Sequence, residues 1–161
     1  MTESGSEFQK PSAAEKVFNR IFGFLVGLGL GMKHNYLLEV HGRKSGKIYS
    51  TPVNVLDRAG RRYLIAPRGE TQWVRNARAS LQITLKKGTN RESFSVKVIP
   101  DREKPELLKA YLDSFSTTVQ RYFPVPAGSA PEAFIPFSSR YPVFELQKPM
   151  QGREDAKTHQ G

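Results

Sequence analysis

Two apolar runs separated by a short cationic interruption constrain this chain more than anything else in it. Residues 36–41 alternate as a strand, residues 50–56 read as another, and Gly42-Arg43-Lys44-Ser45-Gly46-Lys47 begins the connection between them. Strands this close in sequence return on each other as an antiparallel hairpin, so a sheet has to grow from them. A hairpin tip requires only one or two turn residues, and three cations with a hydroxyl exceed that need. The two glycines permit positive φ and close backbone approach, so the loop can bend around an anion with its N–H groups turned inward. Arg43 offers a planar fork for phosphate or carboxylate, and Lys44 and Lys47 act as point charges. The plain alternative is a solvated basic turn.

The remaining chain reads in order around that hairpin. Residues 1–12 are polar and aperiodic, a disordered lead-in. From Ala13 the pattern is helical, with Val17, Ile21, Leu25 and Leu28 on one face. The apolar run 21–32 falls well short of the ~20 residues that span a bilayer, and its acidic, polar leader argues against a signal peptide. Gly23, Gly27 and Gly31 form a small-residue stripe that would let another backbone approach. A core-covering helix and a membrane-surface or dimer helix over residues 17–30 are both compatible with it.

Residues 57–60 form a turn, 62–66 a third strand, and 72–79 a short helix with Thr71 as its N-cap. Residues 81–86 and 93–99 alternate in the strand period and are joined through Gly88-Thr89-Asn90. Asp101 opens a further helix as its N-cap or close to it, with Pro105 in its first turns and Leu107, Leu108, Tyr111, Leu112 and Phe115 as its buried stripe. Residues 124–136, rich in proline and alanine, make a loop or lid. A last strand covers 143–147, and 149–161 is a polar tail. This gives one domain over residues 13–148, α+β and mostly antiparallel, which is a small barrel.

Charge enters through its placement. Residues 43–91 hold twelve Lys/Arg against only Asp57 and Glu70, which accounts for the whole formal charge of +10. Such a field attracts a polyanionic ligand, nucleic acid or an anionic membrane. No recognition helix or exposed aromatic strand accompanies it, so nucleic acid is not expected. The chain has no cysteine, which removes disulfides, thiolate metal sites and thiol nucleophiles. No triad, carboxylate cluster or metal-ligand spacing can be assembled, which favours chemistry carried by a bound cofactor.

The segments 42–47 and 50–52, then Ala66-Pro67-Arg68-Gly69-Glu70-Thr71-Gln72-Trp73-Val74-Arg75-Asn76, and finally Tyr141-Pro142-Val143-Phe144-Glu145-Leu146, resemble the deazaflavin-dependent nitroreductase family over roughly residues 15–147. The resemblance implies a split β-barrel and coenzyme F420, a deazaflavin with a phosphate and an acidic glutamate tail. Carried over by position, Arg43, Lys44, Ser45, Gly46 and Lys47 would form the loop that meets the phosphate and tail. Ser50, Thr51 and Pro52 would lie beneath the ring or linker. Backbone groups up to Ala66 and Pro67 would line the ring edge, with Arg68 as a further basic residue. Trp73 would close that side by packing and Asn76 by hydrogen bonding. Tyr49 stands where the family commonly has arginine, so that contact is either missing or supplied by Arg75 or Arg78. Pro67 replaces a frequent serine, and Asn54 stands where some relatives carry an aromatic.

The function expected is hydride transfer from reduced F420 to a small quinone, nitro or enone acceptor, with Tyr122 the one candidate for a proton donor. The alternatives are an FMN enzyme of the same barrel type and a non-catalytic cofactor or lipid binder at a membrane surface. The expected location is the cytoplasm, with peripheral membrane contact through residues 17–30 left open. A homodimer is compatible with the pattern.

Overall fold

The longest strand, β2 (Ile48–Arg58), serves two partners in turn. The computed structural model describes residues 34–149. Residues 48–54 pair with β1 (Asn35–His41), and residues 55–58 pair with β3 (Arg61–Ile65). The Val55 amide donates to the His34 carbonyl at 2.9 Å, and backbone groups alternate in direction along an antiparallel strand. Those of Ser50, Pro52 and Asn54 therefore point away from β1, on the side that β3 reaches only from Val55 onward. Pro52 suits this position, because the N–H it lacks would have faced an open edge.

The other strands close the sheet on itself. β3 pairs with β6 (Val143–Gln147), β6 with β5 (Asn90–Val98), β5 with β4 (Gln82–Lys87), and β4 returns to β1. The result is a closed antiparallel barrel in the order β1-β2-β3-β6-β5-β4. Turn chemistry supports the register. Ala59 and Gly60 both have positive φ, +53° and +77°, as the tight turn between β2 and β3 requires. Gly88 opens the β4–β5 turn with φ +64°.

Side-chain alternation sorts the buried residues into two cores. Leu38, Val40, Val55, Leu64, Leu85, Phe94, Phe144 and their neighbours fill the barrel, joined by Val74 and Ala77 of α1 (Gln72–Ser80). Leu56, Tyr63, Ile65 and Val143 point outward instead and pack beneath α2 (Pro105–Val119) and the 3₁₀ segment Pro131–Arg140. Covered on both faces, β3 and β6 are buried at consecutive positions.

Three local expectations need correction. Asp101 does not cap α2. It opens a 3₁₀ turn and pairs with Lys104 at 2.8 Å, and the helix starts at Pro105, whose missing N–H costs nothing there. Thr71 occupies the N-cap position of α1 but makes no side-chain capping bond. Residues 124–136 are not a lid. Phe134 is fully buried, a contribution of roughly 1.5–3 kcal/mol. Lys109 donates to the Ser129 carbonyl, and the Gln120 side chain holds both Val125 and Ala127. The proposed lead-in, the helix over residues 17–30 and nearly all of the tail lie outside the described residues. Among the described residues no helix is long and apolar enough to cross a membrane.

Candidate functional site

The cationic loop is shaped by its own backbone and tied to α1. Gly42 N–H donates to the Lys47 carbonyl and Gly46 N–H to the Gly42 carbonyl, with Gly46 at φ +75°. A Cβ on Gly42 would stand 2.7 Å from the Tyr49 ring, so the ring lies directly against the loop. Asn76, buried in α1, fixes the loop at Arg43. Its Oδ1 accepts from the Arg43 backbone N–H at 3.1 Å and from Nη1 at 2.8 Å, and Gln72 Oε1 accepts from the same Nη1 at 3.1 Å. Both acceptors are neutral amides. The guanidinium is thus oriented without losing its charge.

Where β2 parts from β3 the barrel wall opens into a cleft of about 870 Å³. Its near wall is the loop with Tyr49, Ser50, Thr51, Pro52, Val53 and Asn54 of β2. Its far wall runs from Ile65 through Ala66, Pro67 and Arg68 to Thr71, Gln72, Trp73 and Asn76, and Tyr111, Thr118 and Val119 of α2 also line it. The volume lies at the upper end of the usual range for small-molecule sites. Trp73 leans on Phe144 of the barrel core, with centroids 5.9 Å apart. Tyr111 is buried, and burial pushes its hydroxyl well above the ordinary phenol range, a nearby Asn54 amide partly opposing this. It therefore stays a protonated donor at any physiological pH.

The structure also sorts the cations. Arg58, Arg61, Arg62, Arg78 and Arg91 each lie within 4 Å of a carboxylate: Glu106, Glu145, Asp57, Glu70 and Glu39 respectively. Among the described residues no ion pair neutralises Arg43, Lys44, Lys47, Arg68 or Arg75, all exposed. Arg43, Lys44 and Arg68 border the cleft directly. The excess read along the sequence thus becomes, in space, a positive rim at one opening.

The sequence profile of the F420H2-dependent quinone reductase family matches residues 14–123. The chain belongs to this family. It is accordingly an oxidoreductase, and its cofactor is coenzyme F420. Solved structures agree on the barrel. A protein of unknown function from Agrobacterium tumefaciens superposes with a TM-score of 0.53 at 17% identity, over 71% of this chain and 48% of that one. The chain thus spans about half of that protein's length. The F420-H2 dependent reductase FDR-A matches at 0.50 and 16% identity, over 71% of this chain and 95% of that one. The heme storage protein HutZ from Vibrio cholerae matches at 0.52 and 9%, over 73% and 83%. At these identities the likeness is one of fold. No curated protein matches the sequence.

The cleft of this quinone reductase family member suits its cofactor on two counts. It is large enough for a tricyclic ring, and its rim cations have no carboxylate partner among the described residues.

Eleven of the residues anticipated from the sequence line this cleft: Arg43, Lys44, Ser45, Ser50, Thr51, Pro52, Ala66, Pro67, Arg68, Trp73 and Asn76. Three others do not. Gly46 is spent on the turn, its N–H bonded to Gly42. Lys47 sits on the far limb of the loop, where its own N–H is bonded to Ser45 Oγ. Tyr122 packs against the outer core, and its hydroxyl accepts from Arg121 at 2.9 Å. Arg78 cannot replace the arginine missing at position 49, because Glu70 holds it by two bonds of 2.8 Å. That contact also holds the Glu70 carboxyl below the usual range. Tyr111 was read from sequence as packing, and its helical stripe gave no sign that it also borders the cleft.

Proposed function

We propose that this protein reduces a small quinone-type acceptor with F420H2 bound in the cleft between β2 and the Ala66–Asn76 wall. The observation that carries the reading is the pairing of a partly apolar cleft of about 870 Å³ with a rim whose cations have no carboxylate partners among the described residues. Arg43, Lys44 and Arg68, with Arg75 nearby, would hold the phosphate and acidic tail at the opening. Thr51, Pro52, Val53 and Trp73 would confine the ring, and the open β2 edge at Ser50 and Asn54 supplies unpaired backbone groups facing it. When bound, the reduced cofactor supplies a hydride, and the acceptor needs a proton besides. The residues around the ring do the positioning, which can contribute up to about 7–11 kcal/mol to a reaction between well-oriented partners. Tyr111 keeps a proton on its hydroxyl at the cleft floor and, with Asn54, would orient a carbonyl-bearing acceptor. Tyr122 has no such access. Nitro and enone acceptors fit the same chemistry, since both are planar and electron-poor.

The test is direct. Arg43→Ala/Lys44→Ala should weaken F420 binding by at least two orders of magnitude, because each charge-assisted bond is worth roughly 1.5–3 kcal/mol. Its melting temperature should move little. An unchanged dissociation constant would remove the loop from the site. Protein isolated from a deazaflavin-producing host with a flavin spectrum would instead place FMN in the cleft. A homodimer belongs to the same proposal, supported by a structure described as a domain-swapped dimer that matches at a TM-score of 0.51 and 15% identity; sedimentation as a monomer would end that part.

A further inference from the structure

A second hollow lies on the outer face of β3, β6 and β5, beneath the start of α2 and the Pro131–Arg140 segment, and shares no lining residue with the cleft. Its volume is about 500 Å³, within the usual range for small-molecule sites. On its floor stands Glu145 of β6, directly opposite Tyr63 of β3 on one side and Lys97 of β5 on the other. The Glu145 side chain is only 9% exposed, and neither oxygen accepts a hydrogen bond from a described residue. Its one ion pair is a long one, 3.6 Å to Nη1 of Arg61, whose side chain is 63% exposed. A carboxylate taken this far out of water needs hydrogen bonds as well as a counter-charge. Its oxygens can still receive them. Thr71 Oγ1 is the one unpartnered side-chain oxygen among the described residues that solvent cannot touch, so the Glu145 carboxylate opens into the hollow that it lines.

Lys97 supplies the second half of the pattern. Opposed residues on antiparallel strands have Cβ atoms about 4.5–5.5 Å apart, and opposite charges so placed attract. Lys97 nonetheless has no carboxylate within 4 Å among the described residues, Glu145 included. The arginines of the wall are engaged elsewhere, Arg58 with Glu106 at 3.1 Å and Arg102 with Glu103 at 3.8 Å. An anion and a cation therefore face one hollow side by side without joining. Ile99 and Leu107 lie buried in the same wall, and Ile135 stands 61% exposed at its lip.

We propose that this hollow binds a small zwitterion, an amino acid with an apolar side chain. Its ammonium group meets Glu145, its carboxylate meets Lys97, and its side chain rests on Ile99, Leu107 and Ile135. An ammonium group brings three donors, which is what the Glu145 oxygens lack. A ligand with an anion alone would meet the like charge of Glu145, and one with a cation alone would leave Lys97 unanswered. The proposal stands apart from the reading of the cleft and does not depend on it.

Calorimetric titration of the full chain with three probes tests it: L-leucine, isoamylamine (leucine without its carboxylate) and isocaproate (leucine without its ammonium group). Leucine should bind most tightly, isoamylamine about tenfold or more weakly than leucine, and isocaproate not at all, since each charge-assisted contact is worth about that factor or more. Glu145→Gln should weaken leucine by about tenfold or more, with a melting temperature no lower than the parent's, because it removes a buried charge short of partners. Lys97→Ala, at an exposed position, should bring leucine down to the level of isoamylamine. Arg43→Ala/Lys44→Ala should bind leucine as the parent does.

No leucine binding at millimolar concentrations would overturn the proposal, as would isocaproate binding as well as leucine does. Unchanged leucine affinity in Glu145→Gln would do the same, and a lowered melting temperature alongside it would make Glu145 a structural group. If Glu145→Gln does not fold, Lys97→Ala decides: leucine bound at the parent's affinity ends the zwitterion assignment. Leucine binding lost in Arg43→Ala/Lys44→Ala but kept in Glu145→Gln would move the ligand into the cleft and leave this hollow without one.

Discussion

Replacing Asn76 by Asp tests whether the rim works by charge or by shape. Asn76 Oδ1 holds Arg43 through its backbone N–H at 3.1 Å and its guanidinium at 2.8 Å. A carboxylate of the same size keeps both acceptor contacts, so the loop should stay in place. What changes is the field: the buried anion neutralises the guanidinium that the loop presents to an incoming phosphate. Placed about 6 Å from that phosphate, the added charge costs about 0.7 kcal/mol at the dielectric of water and about 2.8 kcal/mol at an effective value of 20. F420 should therefore bind about threefold to a hundredfold more weakly. The difference should shrink between 0.05 M and 0.5 M salt, as screening shortens the reach of the charge. Stability should change little, because Arg43 compensates the new carboxylate. Asn76→Ala gives the contrast. It forfeits one neutral and one charge-assisted bond, about 2–4 kcal/mol where fully felt, and should lower both the melting temperature and the affinity. Fluorescence titration at the two salt concentrations decides the matter. If Asn76→Asp binds F420 as well as the parent at low salt, the Arg43 charge is not felt by the ligand and the argument from uncompensated cations fails.

Other perturbations follow from the same geometry. Tyr111→Phe should lower turnover with a quinone at least tenfold at unchanged F420 affinity, and Tyr122→Phe should stay within about twofold; stopped-flow oxidation of F420H2 reads both, and the reverse ranking would return the proton donor to Tyr122. Gly42→Ala forces the half-exposed Tyr49 ring out of its place, since the new Cβ would lie 2.7 Å from it; F420 affinity should fall while the melting temperature holds. Glu70 has its pKa lowered from 4.5 by the Arg78 contact, so the pair adds stability above pH 4.5 and loses it as pH falls through the lowered value. Glu70→Gln should flatten that part of the acid limb, by under about 1 kcal/mol because both groups are well exposed, and urea melts at pH 3.5 and 7 would measure it. Ala59→Asn should stabilise by up to about 1 kcal/mol in the same assay, since Ala59 sits at φ +53°, where Asn is better tolerated.

The barrel was legible because period-2 alternation is a local signal: all six strands fall within two residues of their expected limits at nearly every end. The exception is the start of β5, read as residue 93 and found at Asn90. Its first residues, Asn90, Arg91 and Glu92, are exposed and polar enough to pass for loop, and they join the sheet only by pairing with Lys87, Lys86 and Leu85 across the turn. Position in the chain could place Arg43 and Asn76 in one site, but it could not say that they bond to each other. That bond joins residues 33 apart and depends on where α1 sits against the loop. Net charge along the chain misled in detail, because Arg58, Arg61 and Arg91 meet their acids only across the fold. Tyr111 escaped notice for a similar reason. Its spacing with Leu107, Leu108 and Leu112 fits a buried stripe, and it is one. Only the third dimension brings the hydroxyl end beside Asn54.

The cleft arises from what the barrel leaves unpaired. β2 spends residues 55–58 on β3 and residues 48–54 on β1 alone, so among the described residues its other edge stays open along the cleft. An open edge normally invites another strand. Here Pro52 removes one donor from that edge, and the Ala66–Asn76 wall lines the cleft together with β2. The wall cannot close the gap, because Val74 and Ala77 anchor α1 in the barrel core while Asn76 and Gln72 tie it to the loop. Barrel stability and cleft width are thus set by the same few residues. Substitutions that loosen α1, such as Ala77→Gly, should therefore lower cofactor affinity and melting temperature together, whereas changes at the exposed rim should alter affinity alone.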